Sequence, residues 1–292
     1  MTTINPPLKW HGGKHYLASK IIALMPPHTH YVEPYFGGGS VLLAKNPEGV
    51  SEVANDANRG LVNLWYVLSD PSAFAAFVRI MHATPFSEEV WEDMSKPWRE
   101  HGDIKLAPRD EEEAVAYAVS FFVTCRQSMS GRMKDFAVLS RTRTRRGMNE
   151  QASAWMTAVD GLPEVHARLR RVAILNRPAL EVIAGQDGEA TLFYLDPPYL
   201  HETRATTGEY AHEMTADDHQ KLLELLCGIK GKFLLSGYDS AMYREFEQRQ
   251  GWHRHSFDLP NNSAGGDTKR RMTEVVWCNF EPTAEAAEGI AE

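Results

Sequence analysis

Three consecutive glycines, Gly37 to Gly39, separate a short strand-like segment from a helix-like segment near the start of the chain. The strand-like segment THYVE ends at Glu33, the helix-like segment SVLLA begins at Ser40, and VSEVAN follows as a second strand. Glycine lets the backbone turn tightly and approach a ligand closely at such a junction. The order strand, glycine loop, helix and strand predicts the opening of an α/β domain.

The middle of the chain has a different character. Between Arg59 and about Val165 apolar residues follow helical spacing, and a long helix is predicted over Glu111 to Thr124. Alternating strands and helices then return. The predicted strands are Val172–Leu175, Thr191–Leu195, Phe233–Leu235, His253–Leu259 and Glu274–Phe280, with helices near Asp217–Leu226 and Ala241–Gln248. We therefore predict a catalytic domain of residues 1–58 and 166–280, a helical insert of residues 59–165, and a disordered tail of residues 281–292.

Composition excludes several classes of protein. Cys125, Cys227 and Cys278 are far apart and form no CxxC pair, which argues against disulfides and a zinc site. His28 and His30 have no cysteine or carboxylate at ligand spacing, so we expect no metal. No apolar run approaches the roughly 20 residues of a membrane span, and the first residues lack a secretory core. We expect a cytoplasmic protein that does not enter a membrane.

The glycine loop and Asp56 together suggest a nucleoside ligand. Neither GxxxxGK[ST] nor GxGxxG is present, which argues against ATP and NAD. Asp56 follows Gly37 by 19 positions (56 − 37), close to the roughly 20-residue interval at which an acidic residue binds ribose hydroxyls. A turn that needs glycine and a solvated aspartate remain open as alternatives.

The most specific motif is Asp196-Pro197-Pro198-Tyr199, directly after the apolar strand TLFYL. In α/β sheets, ligands bind at the carboxyl ends of strands. Proline has no N–H, so this turn presents carbonyls and a carboxylate, which suit the NH2 group of a base. We predict that Asp196 and the Pro197 carbonyl accept hydrogen bonds from an exocyclic amine, and that Tyr199 stacks on a base extruded from the duplex. A proline-stiffened turn without catalytic function is the alternative.

With these motifs in place, the chain resembles the Dam-type family of DNA adenine-N6 methyltransferases over nearly its whole length. The resemblance rests on Lys9-Trp10-His11-Gly12-Gly13-Lys14, the loop from Glu33 to Gly39, Asp56, and the Asp196 motif. It implies a Rossmann-like methyltransferase sheet with a helical target-recognition insert, S-adenosylmethionine as the methyl donor, and S-adenosylhomocysteine as the product. It also implies a set of cofactor-binding residues: Trp10, Lys14, Glu33, Pro34, Tyr35, Phe36, Gly37, Gly38, Gly39, Ser40, Asp56 and Asp196.

The chain departs from the family pattern at two places. Asn176 and Arg177 stand where relatives often have an acidic residue for the cofactor's adenine. In the insert motif TCRQSMSGR, Cys125 and Ser130 stand where many relatives have asparagine. The resemblance therefore assigns neither the adenine contact nor the reading of target bases.

A local basic region offers a way for this protein, of net charge −8, to hold DNA. Seven basic residues and one acid, Asp135, lie between Arg126 and Arg146. Such charge neutralises phosphates and positions the protein without specifying sequence; a solvated basic loop is the alternative. The predicted DNA-binding residues are Arg126, Ser128, Arg132, Lys134, Arg141, Arg143, Arg145, Arg146, Arg204, Lys269 and Arg270.

These observations predict an enzyme that methylates adenine N6 in double-stranded DNA as a monomer or weak dimer, with the base flipped into the Asp196 pocket. Two alternatives stay open. One is methylation of an amine in RNA or protein, although such enzymes usually have asparagine at the position of Asp196. The other is a DNA-binding protein whose methyltransferase site is vestigial.

Overall fold

The computed structural model describes residues 4–10, 12–104, 107–200, 213–260 and 271–282. The strands are β1 (His30–Glu33), β2 (Ser51–Asn55), β3 (Thr144–Arg145), β4 (Met148–Asn149), β5 (Val172–Leu175), β6 (Thr191–Leu195), β7 (Lys232–Gly237), β8 (His253–Pro260) and β9 (Arg271–Cys278). The helices are α1 (Ala18–Ala23), α2 (Ser40–Ala44), α3 (Arg59–Ser69), α4 (Pro71–Ala83), α5 (Glu88–His101), α6 (Glu111–Gln127), α7 (Glu150–Asp160), α8 (Leu162–Leu169), α9 (Ala179–Gly185), α10 (Ala216–Leu226) and α11 (Ala241–Gln250), and a 3-10 turn covers Met129–Gly131. The predicted strands and helices are confirmed, with ends that differ by three residues or fewer.

Seven strands form one sheet in the order β5-β2-β1-β6-β7-β9-β8. The pairs β1–β2, β1–β6 and β6–β7 are parallel, whereas β9 is antiparallel to β7 and to β8. Every residue of β6, TLFYL, is buried, as expected of a central parallel strand that is covered on both faces. This mainly parallel sheet with helices confirms the predicted α/β, Rossmann-like class.

The direction of β9 decides which residues meet at one edge of the sheet. Parallel strands β6 and β7 end at the same edge, and residues that follow them are presented there. Because β9 runs antiparallel to β7, with Val275 opposite Gly237, the beginning of β9 lies at the edge where β7 ends. Glu274 is thereby placed at the carboxyl edge.

Side-chain caps define the starts of the helices in the middle of the chain. Asn58 accepts a hydrogen bond from the Leu61 N–H at 2.8 Å and starts α3, and Asp110 accepts one from the Glu113 N–H at 2.9 Å and starts α6. Each such cap contributes about 1 kcal/mol to the helix. Asp70 caps α4, which has Pro71 in its first turn, where proline's missing N–H costs nothing.

Contacts between residues in space divide the chain into two compact units. The first comprises Met1–Ala18, Phe36–Asn46 and Asp56–Asn176. Its interior includes the fully buried Trp65 and Phe122. The second comprises Ser19–Tyr35, Pro47–Asn55 and Arg177–Glu292. Its interior includes the fully buried Phe193 and Trp277. The division into catalytic domain and insert stays a prediction, and the tail from residue 283 lies outside the described residues.

In the part of the chain that the structure describes, no single helix has both the length and the apolar character to cross a membrane; only α3 and α4 taken together, across a bend of 102°, meet that requirement by length and composition.

Candidate active site

The glycine loop turns sharply between Phe36 and α2. Gly37 and Gly39 have φ angles of 50° and 70°, which side-chain-bearing residues adopt only with strain. The Gly37 carbonyl accepts a hydrogen bond from Trp65 Nε1 at 3.1 Å. The Gly37 N–H donates to Asp56 Oδ2 at 2.9 Å. Hydrogen bonds to both the N–H and the carbonyl of Gly37 therefore fix the loop.

Trp10 explains why the loop needs glycine. A Cβ added to Gly37 would lie 2.8 Å from Trp10 Nε1, and one added to Gly38 would lie 2.7 Å from Trp10 Cβ. The Trp10 ring also stacks on the Phe121 ring at a centroid distance of 6.2 Å. The Trp10 indole is half-buried against the loop. The glycines therefore allow the loop backbone to approach the Trp10 side chain closely.

Both oxygens of Asp56 bind backbone N–H groups. Oδ2 accepts from Gly37 as above, and Oδ1 accepts from Asn58 at 2.9 Å. Asn176 lies beside them, and its amide donates to the carbonyls of Asp56 at 2.8 Å and Ala57 at 3.2 Å. The residue that replaces the expected acid thus fixes the backbone around Asp56.

Lys14 and Phe36 complete this group in the first unit. The Lys14 side chain is buried, and its Nζ donates to the Gly12 carbonyl at 2.9 Å. The buried Phe36 ring packs 5.1 Å from Trp65. Ser40, half-buried, opens α2 directly after the loop. Trp10, Lys14, Phe36, the three glycines, Ser40 and Asp56 are therefore all part of one unit, whereas His11 lies outside the described residues.

Glu33, Pro34 and Tyr35 belong to the second unit. The Glu33 side chain is buried, and its Oε1 accepts from the Tyr31 hydroxyl at 2.7 Å. Burial, followed by this carboxylate, raises the pKa of Tyr31 well above its usual range. The Pro34 carbonyl accepts from Asn55 Nδ2 at 2.9 Å.

The Asp196 motif follows β6 directly, as predicted. Asp196 is half-exposed and Pro197 is buried. Tyr199 is only 8 % exposed, and its hydroxyl donates to Asp196 Oδ1 at 3.0 Å. Burial, followed by the carboxylates of Asp196 and Glu274, raises the pKa of Tyr199 well above its usual range. The hydroxyl therefore keeps its proton and acts as a donor at neutral pH.

Two residues at this corner carry no sequence-based prediction of function. Glu274 is 4 % exposed and forms a hydrogen bond with the Tyr199 hydroxyl. Tyr238, half-exposed directly after β7, packs edge-on against Tyr199 with the ring centroids 4.7 Å apart. The available signals were an acid at the start of the apolar strand segment EVVW and an aromatic residue just after FLLSG.

Five of the seven basic residues between Arg126 and Arg146 are exposed on the first unit. Strands β3 and β4 form a hairpin whose turn residues, Arg146 and Gly147, have φ angles of 55° and 73°, as in a type I′ turn. The exposed basic residues here are Lys134, Arg141, Arg143, Arg145 and Arg146. Arg143 lies 3.9 Å from a Glu150 carboxylate oxygen. We call this exposed set the basic hairpin region.

The remaining predicted residues of the insert are less exposed. Ser128 is buried, and its hydroxyl donates to the Cys125 carbonyl at 2.9 Å and accepts from the Met133 N–H at 3.1 Å. The half-buried Arg126 donates to the Ala154 carbonyl at 3.0 Å. Arg132 is also half-buried. Ser128 and Arg126 therefore have structural partners within the fold.

Lys9 lies in the same region as Arg126. Its Nζ donates to Gln151 Oε1 at 3.0 Å, and its carbonyl accepts from Cys125 Sγ at 3.5 Å. A Cβ on Gly131 would collide with that carbonyl oxygen. Burial, followed by the nearby Arg126 charge, lowers the pKa of Lys9 from 10.5 to about 8.

Three predicted DNA-binding residues, Arg204, Lys269 and Arg270, lie outside the described residues. Among the residues that are described, no group of three or more histidine, cysteine, aspartate or glutamate side chains could hold a metal ion.

Comparison with known proteins relates this chain to one family. The family model described as "D12 class N6 adenine-specific DNA methyltransferase" matches residues 10–256. The Type II methyltransferase M1.LlaDCHI of Lactococcus lactis subsp. cremoris is 24% identical over 95% of this chain and 96% of its own length. The DNA adenine methylase of Escherichia coli K12 is 24% identical over 92% and 93%. The DNA N-6-adenine-methyltransferase of Escherichia phage P1 is 22% identical over 92% of this chain and 34% of its own length.

Proposed function

The chain belongs to the D12 class N6 adenine-specific DNA methyltransferase family, and on that premise we propose that it transfers the methyl group of S-adenosylmethionine to N6 of adenine in double-stranded DNA. One observation carries the proposal at the level of the site. The half-exposed Asp196 carboxylate follows the buried strand β6 and is hydrogen-bonded to Tyr199. A fixed acceptor at a strand's carboxyl end is what an amine substrate requires.

The chemistry follows from the poor nucleophilicity of adenine's amine, whose lone pair is shared with the ring. Asp196 and the Pro197 carbonyl accept its two hydrogens and turn the lone pair toward the methyl donor. When bound, S-adenosylmethionine would supply the electrophilic methyl group on its sulfonium sulfur, and the product would be S-adenosylhomocysteine. As the N–C bond forms, the amine loses one proton, which passes to solvent.

The first unit contains groups that fit this cofactor. A carboxylate has about four lone-pair sites, so Asp56 can accept ribose hydroxyls while it binds its two backbone N–H groups. The glycine loop and Lys14 suit the amino-acid end, and the Trp10 indole offers an aromatic face. The residues directly before the glycine loop, Glu33, Pro34 and Tyr35, are also proposed to contact the cofactor. The fit is one of donor and acceptor types.

DNA binding is assigned to the basic hairpin region. Its exposed cations can neutralise phosphates without reading sequence, and residues 59–165 are proposed as the target-recognition insert. The target adenine must leave the duplex to reach a carboxylate at the edge of a sheet, because a stacked base does not expose its amine to such a site. We further propose that the enzyme acts in the cytoplasm, as a monomer or weak dimer.

The test is direct. Purified protein is incubated with duplex DNA and S-adenosylmethionine labelled in the methyl group, and the DNA is hydrolysed to nucleosides. The label should appear in N6-methyladenine. Label found only in methylated cytosine, or only in parallel samples of RNA or protein, would contradict the proposal. If the protein fails to bind S-adenosylmethionine in calorimetry, the vestigial-site alternative is favoured.

A further inference from the structure

The carboxyl group of Glu274 is buried at the edge of the sheet where the Asp196 motif begins. Glu274 is 4 % exposed, although it is only the fourth residue of strand β9. A buried carboxyl group costs free energy unless hydrogen bonds compensate it. Glu274 forms a hydrogen bond with the Tyr199 hydroxyl. Strand β9, which lies between β7 and β8, thus contributes a polar group to the proposed catalytic corner.

Tyr199 links the two carboxyl groups. Its hydroxyl is 3.0 Å from Asp196 Oδ1 and hydrogen-bonded to Glu274 Oε1. A phenol has one hydrogen and can donate it to only one acceptor at a time. The hydroxyl therefore lies between the two carboxyl groups and is within hydrogen-bond reach of one oxygen of each. A carboxylate has about four lone-pair sites, so Asp196 can accept from Tyr199 and also accept from an amine substrate.

The hydrogen bond from Tyr199 restricts the side chain of Asp196, which is half-exposed and lies in a turn. A carboxylate in that setting can rotate about its side-chain bonds unless another group holds it. The Tyr199 ring is itself fixed by burial and by the Tyr238 ring. Tyr199, which also binds Glu274 on β9, therefore holds one oxygen of Asp196 in place.

We propose that Glu274 is a positioning residue for methyl transfer: through the Tyr199 hydroxyl it fixes the orientation in which Asp196 accepts the adenine amine. This inference rests on the proposed function. It assigns no contact between Glu274 and substrate or cofactor. A geometric error of a fraction of an ångström at such a site costs rate and leaves binding intact.

The test compares two substitutions of nearly equal size. Glu274→Gln keeps a hydrogen-bonding group toward Tyr199, whereas Glu274→Met removes it and leaves an apolar side chain that packs. We expect Glu274→Met to lower kcat about 10- to 100-fold, the worth of a hydrogen bond to a charged group. We expect Glu274→Gln to stay within about 3-fold of wild type and the DNA Kd of both variants to stay within about 2-fold.

Glu247 provides the matched control. Its Oε2 accepts from Nε1 of Trp277, which lies on the same strand as Glu274, at 2.8 Å. Glu247→Met therefore removes a hydrogen bond to β9, together with the 3.9 Å ion pair between Glu247 and Arg254, and leaves the Asp196 motif in place. It should leave kcat unchanged. A similar loss in both methionine variants would mean that kcat reports general damage to β9, and would overturn the inference.

A second variant keeps the inference testable if Glu274→Met does not fold. Tyr199→Phe cuts the link while it leaves both carboxyl groups and the ring in place, and it should lower kcat to the same extent. Adding Glu274→Gln or Glu274→Met to Tyr199→Phe should then cause no further loss beyond about 3-fold, because groups that act as one unit are not additive. A wild-type kcat in folded Glu274→Met or in Tyr199→Phe would overturn the role of Glu274 and leave the proposed function intact. A wild-type enzyme that methylates no DNA would overturn both.

Discussion

Removing three arginines from the basic hairpin region should flatten the salt dependence of DNA binding. The perturbation is the triple substitution Arg141→Ala, Arg143→Ala and Arg145→Ala. All three side chains are exposed, so their loss leaves the packed interior intact. We expect a folded enzyme with wild-type thermal stability. Any change in its DNA affinity then reports the contacts of these cations with phosphates.

The magnitude follows from counterion release. Each neutralised phosphate contributes about 0.9 to the slope of log K against log salt concentration, so three contacts contribute about 2.7. Arg143 lies 3.9 Å from a Glu150 oxygen and has that competing partner, so the lower bound is two contacts, or about 1.8. Between about 50 and 200 mM salt, a slope difference of 2.7 corresponds to a roughly 40-fold difference in the loss of affinity.

The assay is fluorescence anisotropy of a labelled duplex titrated with enzyme at several salt concentrations. A control with the same change in charge replaces three exposed cations that pair with carboxylates elsewhere: Lys96, Arg109 and Arg244. The control slope should match wild type. Equal slopes for the hairpin triple and wild type, or an equal drop in both triples, would refute the assignment of this region to phosphate contacts.

Two further predictions concern the first unit. Gly38→Ala should weaken binding of S-adenosylmethionine about 10-fold or more in calorimetry, because the new Cβ lies 2.7 Å from Trp10 Cβ and displaces the indole. The matched control is Gly185→Ala, whose new Cβ meets nothing within 4 Å. Equal affinities of the two variants for S-adenosylmethionine would contradict the role of the Trp10 contact. The pKa of Lys9 in the folded protein is about 8, below its ordinary value of 10.5. Burial of the charged ammonium group therefore lowers the free energy of unfolding by its full amount below pH 8, and this loss shrinks as the pH rises toward 10.5. Lys9→Met should therefore raise the Tm relative to wild type more at about pH 7 than at about pH 9.5, and a Tm difference that does not change with pH would argue against a buried charge.

The order of strands and helices could be predicted because local patterns agree with the fold. The segment TLFYL is a continuous apolar run, which suits a strand buried on both faces, and the observed strand β6 has the predicted ends. The glycines marked a sharp turn before α2, and the positive φ angles of Gly37 and Gly39 confirm that turn. Glycine and proline report backbone requirements, which are local and therefore visible in sequence.

Other features depend on contacts between residues far apart in the chain. Nothing near Gly38 indicates that Trp10 packs on it, and the burial of Ser128 depends on the way the segment after α6 folds back. Glu274 is 75 positions from Tyr199, and only the antiparallel direction of β9 brings them together. Pairings of this kind require the topology of the sheet, which periodicity alone does not specify.

In the proposed mechanism Asp196 receives the adenine amine, and single-turnover methylation by Asp196→Ala tests that role most directly. Rates are measured with enzyme in excess over a labelled duplex, beside the Kd for that duplex and the Tm of the variant. We predict a rate at least about 100- to 1,000-fold below wild type, with the DNA Kd within about 2-fold of wild type. A folded Asp196→Ala enzyme that methylates adenine at the wild-type rate would contradict the account.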